Sequence, residues 1–137
     1  MTKIFIDANF FIYLNSEEHK RKLYNDFYYK LVENHRLYTD ALVLDELIFV
    51  SKKKYKVLYN VSIDFIESYI LPSVTILDIT KNEYEKAKEL ILKYNLKPSD
   101  ALHVAAMLNN GITLILSEDH EFDKASEIKR KWINDLI

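Results

Sequence analysis

Apolar residues follow two alternating rhythms along the chain. Short runs rich in β-branched and aromatic residues, at Lys3 to Ile6, Arg36 to Thr39, Val74 to Ile79 and Ile112 to Leu116, have the length of strands. Those that are apolar throughout suit strands buried on both faces. Between these runs, apolar positions recur at helical spacing. A short apolar helix is predicted from Asn9 to about Leu14. A longer one follows from Ser16 to Asn34, with Ser16 as N-cap and Leu23, Phe27 and Leu31 as its inward stripe. A helix from Asp40 to about Lys54 ends in a basic turn that suits its dipole, and another from Asn60 to Ile70 stops before Pro72. Thr80 to Tyr94 is amphipathic, with Thr80 and Glu83 spaced as a capping box. Pro98 falls in the first turn of a helix reaching about Asn110 and closed by Gly111, the only glycine. Ser117 to Ile137 is predicted to be loop and helix with a short edge strand near Trp132.

Strands alternating with helices imply an α/β fold, a parallel sheet of four or five strands covered on both faces. A chain of 137 residues has the size of one domain, so 1–137 is predicted to fold around a single core. No repeat, linker or low-complexity stretch interrupts it.

Composition narrows the chemistry. A 49% hydrophobic and 29% charged chain is that of a globular protein, neither disordered nor membrane-embedded. The absence of cysteine excludes disulfides, thiolate metal sites and a cysteine nucleophile, leaving carboxylates and four histidines as candidate ligands. The N-terminal stretch reaches a charge too early for a secretory leader, and no apolar run approaches the length of a membrane span. The expected location is therefore the cytoplasm, with no membrane partner. A net charge of -2 runs against a nucleic-acid binder, unless acids gather around metal ions and leave the remaining surface more positive.

In an open parallel sheet the ligand site lies beyond the carboxyl ends of the strands. Asp7 follows the first strand, and Ser117-Glu118-Asp119 follows the fourth, so both emerge on one edge. Asp100 begins the helix leading into the fourth strand. Each has a plain structural use too: Asp7 as a helix cap, Asp100 as an acid favoured at a helix N-terminus, Asp119 as a loop residue. In the helix after strand two, Glu46 has apolar neighbours in Leu42, Val43, Phe49 and Val50, and Asp45 has them in Ala41, Leu42, Ile48 and Phe49. A carboxylate buried there needs a partner or a metal, and periodicity does not choose between the two.

Other polar features are read more plainly. The basic runs at 20–22, 52–56 and 129–131 are suited to phosphate but are ordinary solvated helix ends, and Tyr24, Tyr28 and Tyr59 sit where packing is expected. His103, one turn from Asp100, and His120, beside Asp119, are assigned structural or supporting roles, and His19 and His35 read as helix surface. A phosphoryl-receiving signalling domain would want an acid after the third strand, whereas Asp78 falls within that apolar run. A phosphatase with an aspartate nucleophile would want a second acid at Asn9.

Four segments together resemble the signature segments of PIN-domain nucleases, particularly VapC-type toxins. They are Asp7-Ala8-Asn9-Phe10-Phe11-Ile12, Leu44-Asp45-Glu46-Leu47, Pro98-Ser99-Asp100-Ala101-Leu102-His103 and Ser117-Glu118-Asp119-His120-Glu121-Phe122, in order across essentially the whole chain. The resemblance implies a three-layer α/β/α fold with sheet order 3-2-1-4-5, and it selects Glu46 over Asp45. It further implies Asp7, Asp100 and Asp119 as metal ligands, Glu46 as a ligand or water-positioning base, and Asn9 and Ser117 as supports. One departure is Glu121, where an aspartate often precedes the phenylalanine.

Four converging carboxylates do not all stay ionised without cations, so one or two Mg2+ or Mn2+ ions are expected among them. The implied activity is hydrolysis of RNA phosphodiesters to a 5′-phosphate and a 3′-hydroxyl. The alternative is a PIN fold that binds RNA or protein without turnover. Implied partners are RNA, an antitoxin peptide and a second copy of the chain, the last two on the apolar helical faces between Tyr24 and Ile70.

Overall fold

A computed structural model describes residues 1–16 and 18–136. Its five strands are β1 (Thr2–Ile6), β2 (His35–Asp40), β3 (Val74–Leu77), β4 (Leu114–Leu116) and β5 (Lys129–Lys131). They form one wholly parallel sheet in the order β3-β2-β1-β4-β5. The helices between them are α1 (Ala8–Ser16), α2 (Glu18–Asn34), α3 (Ala41–Tyr55), α4 (Tyr59–Phe65), α5 (Lys81–Tyr94), α6 (Pro98–Asn109) and α7 (Ile133–Leu136). From β1 the chain steps outward through β2 to β3, then crosses back past β1 to β4 and β5. Right-handed crossovers therefore put α1 to α4 on one face and α5 and α6 on the other. The helices accordingly touch within these two groups.

The centre of the sheet is the centre of the core. Ile4, Phe5 and Ile6 of β1 and Ile115 and Leu116 of β4 are fully buried, as a central parallel strand covered on both faces requires. On one face Phe10 of α1 meets the rings of Tyr24, Phe27 and Tyr28 from α2. On the other, α6 buries Ala101, Val104, Ala105, Ala106 and Met107.

Several boundaries differ from expectation for identifiable reasons. Leu23 is exposed, and the inward stripe of α2 is Tyr24, Phe27, Tyr28 and Leu31, so the stripe begins one residue later than expected. Ser16 closes α1 and donates to Ser51; Glu17, within the expected second helix whose cap Ser16 was predicted to be, lies outside the described residues, as does Ile137 at the end of the predicted domain. The helix before Pro72 is α4 followed by a wider π turn, Ile66–Ile70. His35 opens β2 and is not a helix-surface residue. Asp78 stands just beyond the end of β3, which is shorter than its apolar run. Tyr59 is exposed, with the Lys52 ammonium 4.5 Å from its ring centre, whereas Tyr24 and Tyr28 are buried as predicted.

The capping box of α5 is present, with Thr80 and Glu83 exchanging backbone and side-chain bonds. Gly111 follows α6 at φ 69, in the left-handed region that only glycine enters freely, and lets Ile112 N–H return to the Met107 carbonyl at 2.9 Å. Among the described residues no helix is long and apolar enough to cross a membrane.

Candidate functional site

The carboxyl ends of β1 and β4 lie side by side, since Ile6 pairs with Leu116, and the next residues, Asp7 and Ser117, emerge together. The Ser117 hydroxyl is fully buried and acts as a junction. It donates to Asp7 Oδ2 at 2.7 Å and accepts from the Asp119 N–H at 3.0 Å and the Asn9 amide at 3.3 Å. Asn9 Oδ1 in turn receives the Glu118 N–H at 3.4 Å. Asp7, Asn9, Ser117 and Asp119, predicted as site residues from four places in two segments, thus form one hydrogen-bonded group. Burial pushes the Asp7 carboxyl above its ordinary range, against the opposing pull of the His103 imidazole and the Ser117 hydroxyl.

Glu46 and Asp100 contribute differently. Both line a cavity of about 360 Å³ together with Asp45, Phe49, Ser99 and His103. Burial first, and then the charges of Asp7 and Asp119, raise the Asp100 carboxyl to about 6, while His103 opposes the rise. Glu46 is raised by the same causes in the same order, desolvation and then Asp7. The expectation that α3 hides this acid in the interior is corrected. Glu46 and Asp45 are both on the exposed part of α3, and Phe49 is 52% exposed, so the apolar neighbours wall an open cavity and do not enclose the carboxylate. Glu46 nevertheless feels the charges of Asp7, His103 and Asp119.

Beneath the cavity lies a pair that the sequence reading missed. Asp40, 0% exposed at the end of β2, holds His103 Nδ1 through Oδ2 at 2.6 Å and receives the Val43 N–H on Oδ1 at 3.0 Å. The ring also lies 5.6 Å from that of Phe5. Burial disfavours the charged imidazole, but the bond to Asp40 outweighs it and the His103 pKa is raised. The rule that acids just after strands merit attention points to Asp40 as directly as to Asp7.

Arg130 was the other omission. Read as one of a solvated basic run, it spends its guanidinium on the Ser117 carbonyl at 3.1 Å, on both Asp123 oxygens and on His120, and so staples the 117–123 segment to β5. Glu121 is held low by the Lys124 ammonium and the Lys97 backbone N–H, and Asp123 chiefly by Arg130.

Oxygen donors of this kind suit a hard divalent ion, and Asp7, Glu46 and Asp100 are all raised, by burial first and then by neighbouring carboxylates. Among the described residues, no three His, Asp or Glu side chains stand close enough to form a closed metal cage as they lie.

A carboxylate cluster at the C-terminal edge of a 3-2-1-4-5 parallel sheet defines a recognisable class of α/β protein, and residues 4–128 match the PIN domain family. The chain is 31% identical to ribonuclease VapC13 of Mycobacterium tuberculosis over 93% of its own length and 98% of that protein. It belongs to the PIN domain family and, within it, to the VapC group. Similar solved structures include VapBC2 of Rickettsia felis, bound to a DNA fragment from its promoter, at TM-score 0.72 and 19% identity over 96% of this chain and 98% of that one. A toxin-antitoxin complex from Klebsiella pneumoniae is similar at TM-score 0.68 and 17% identity, with 92% and 95% covered. Both likenesses bear on the fold, which has the predicted strand order.

Proposed function

We propose that the protein is a metal-dependent endoribonuclease acting as the toxin of a toxin-antitoxin pair in the cytoplasm. The observation that carries this reading is the accumulation of four acids at one sheet edge, with Asp100 raised to about 6 by burial and by its acidic neighbours. A fold maintained for stability alone gains nothing from such repulsion; a site that receives a divalent cation does. The 31% identity to a protein named as a ribonuclease supports the same substrate class.

Asp7, Asp100 and Asp119 would hold Mg2+ or Mn2+, with Glu46 as a further ligand or as the base that orients the attacking water. Such an ion supplies charge neutralisation at the phosphate and a water acidic enough to serve as nucleophile near neutral pH. The protein's own contribution is placement. Ser117 and Asn9 hold Asp7 and the Asp119 backbone in register, and the Asp40–His103 hydrogen bond fixes the imidazole beside Glu46 and Asp100.

An antitoxin partner is supported by the complexed state of the Klebsiella pneumoniae neighbour. It is supported also by a cavity of about 370 Å³ between α1, α2 and α4, lined by Leu14, Asn15 and Arg21 and, from the helical region predicted for it, by Val61, Phe65 and Tyr69. A homodimer belongs to the same reading.

The test is cleavage of a mixed RNA pool by purified protein, with Mg2+ or Mn2+, with chelator, and with Asp100→Asn. Cleavage abolished by both interventions is expected. RNA that is bound but left intact under both metals would convert the reading to that of a binding module.

A further inference from the structure

Asp7, Asp119 and Asp100 sit on three separate elements, and something must set their spacing. Ser117 does so for Asp7 and Asp119 through a single hydroxyl. The remaining link, from Asp119 to Asp100, runs through Glu121. Asp119 caps the short turn His120–Lys124, its Oδ1 receiving the Glu121 N–H at 2.9 Å. The Glu121 side chain then reaches across 24 residues of sequence to accept the Lys97 N–H on Oε2, also at 2.9 Å. Lys97 is the N-cap residue of α6 and offers no side-chain cap of its own, and Asp100 follows three residues on. A helix start has amides without intrahelical partners, and here one of them is satisfied from another element.

We propose that Glu121 is a positioning residue that fixes the Asp119 loop against the N-terminus of α6, and is not itself a metal ligand. The inference rests on the metal-site reading of Asp7, Asp100 and Asp119. Both carboxylate oxygens are already engaged, since Oε1 holds the Lys124 ammonium at 2.9 Å, and the side chain is only 10% exposed. Its charge is compensated locally by the Lys124 ammonium. The departure from aspartate noted in the sequence acquires a reason: the bridge to Lys97 uses the additional methylene of glutamate.

Three variants separate positioning from ligation. Glu121→Gln keeps an oxygen acceptor for the Lys97 amide and loses the charge; Glu121→Asp keeps the charge and loses reach; Glu121→Ala loses both. Mn2+ binding is measured by calorimetry without RNA, alongside kcat and KM for RNA cleavage, protection of the Lys97 amide from hydrogen exchange, and the unfolding midpoint. Glu121→Gln is expected to retain Mn2+ affinity and Lys97 protection. Glu121→Ala is expected to lose the protection, weaken Mn2+ about 10-fold and lower kcat more than it changes KM, as removal of an outer support does. Glu121→Asp should fall between them. If Glu121→Gln weakens Mn2+ as much as Asp119→Asn, Glu121 is a ligand and the inference fails. It fails equally if Glu121→Ala binds Mn2+ like the wild type. Wild-type protein that binds no Mn2+ overturns the metal-site reading, and the positioning role with it, a result distinguishable because it does not depend on the variants.

Discussion

Asp7 and Asp119 are joined through the Ser117 hydroxyl and receive further bonds from neighbouring backbone amides, whereas Glu46 and Asp100 face a cavity with no hydrogen bond from the protein among the described residues. The first pair is organised before anything binds. The second lies above a buried pair, Asp40 and His103, and is raised by burial and by its acidic neighbours, a rise that the imidazole opposes. The contrast separates two jobs, one half holding geometry and the other storing an electrostatic deficit that a cation would relieve. The halves are coupled through charge, since Asp7 and Asp119 add to the rise of Glu46 and Asp100, but only the first is held by hydrogen bonds, which makes the comparison testable.

The largest effect on folding is expected at the floor of the open half. Asp40→Ala leaves His103 buried without its partner, and breaking a buried pair on one side costs about 3–5 kcal/mol. Urea denaturation measures it. Because the His103 pKa is raised in the folded protein, the charge-dependent part of this stability is fully present below the ordinary histidine pKa and is lost as pH rises through the folded value. The gap between wild type and variant should therefore narrow toward alkaline pH. A cost below about 1 kcal/mol, no more than an exposed pair contributes, would mean the floor is not a rigid support.

The largest effect on activity belongs to the organised half. Asp7→Asn is expected to lower metal-dependent RNA cleavage by more than about 100-fold, beyond the range for an outer support. Its stability should not fall, because a carboxyl raised by burial already penalises the fold when ionised. Full activity with an intact fold would remove Asp7 from the reaction. A smaller change, Ser117→Ala, deprives Asp7 and the Asp119 amide of one shared partner and should cost about 1–3 kcal/mol in thermal or chemical unfolding. It should leave the titration of Asp100 nearly unmoved, and a large shift there would show that the halves are not separable.

The two halves were not equally legible in the sequence. Asp7 and Asp119 follow from a local rule, polar residues immediately after apolar strands, and the parallel register of β1 and β4 realises it, whereas the supporting roles of Asn9 and Ser117 came from resemblance. The strand order came from resemblance, and the element types from periodicity. Glu46 was harder: apolar neighbours were taken for burial, but on α3 they form the wall of an open cavity, and a one-dimensional pattern cannot tell a wall from a core. Asp40 was overlooked because it reads as the first residue of a helix, which it caps through Val43 while its other oxygen holds a histidine 63 residues away. Glu121 and Arg130 depend on contacts across loops, for which sequence spacing carries no signal.

The smallest predicted effect is the most direct measure of stored charge in the open half. With its folded pKa at about 6 against an ordinary 3.8, Asp100 binds its proton more tightly in the folded state. Stability from this group is therefore complete below pH about 4 and declines as pH rises through about 6. Since Asp100 is only partly buried, the full shift is reduced by solvent, and about 1 kcal/mol of pH-dependent loss is expected. Asp100→Asn should not show this loss and should be the more stable protein at pH 7 without metal, although inactive. Adding Mg2+ or Mn2+ should reverse the order, raising the wild-type unfolding midpoint more than that of the variant, because binding to the folded state alone stabilises it in proportion to affinity. An Asp100→Asn protein that is less stable than wild type at pH 7 without metal would show that the carboxylate is already compensated, and the contrast between an organised and a charge-storing half would not hold.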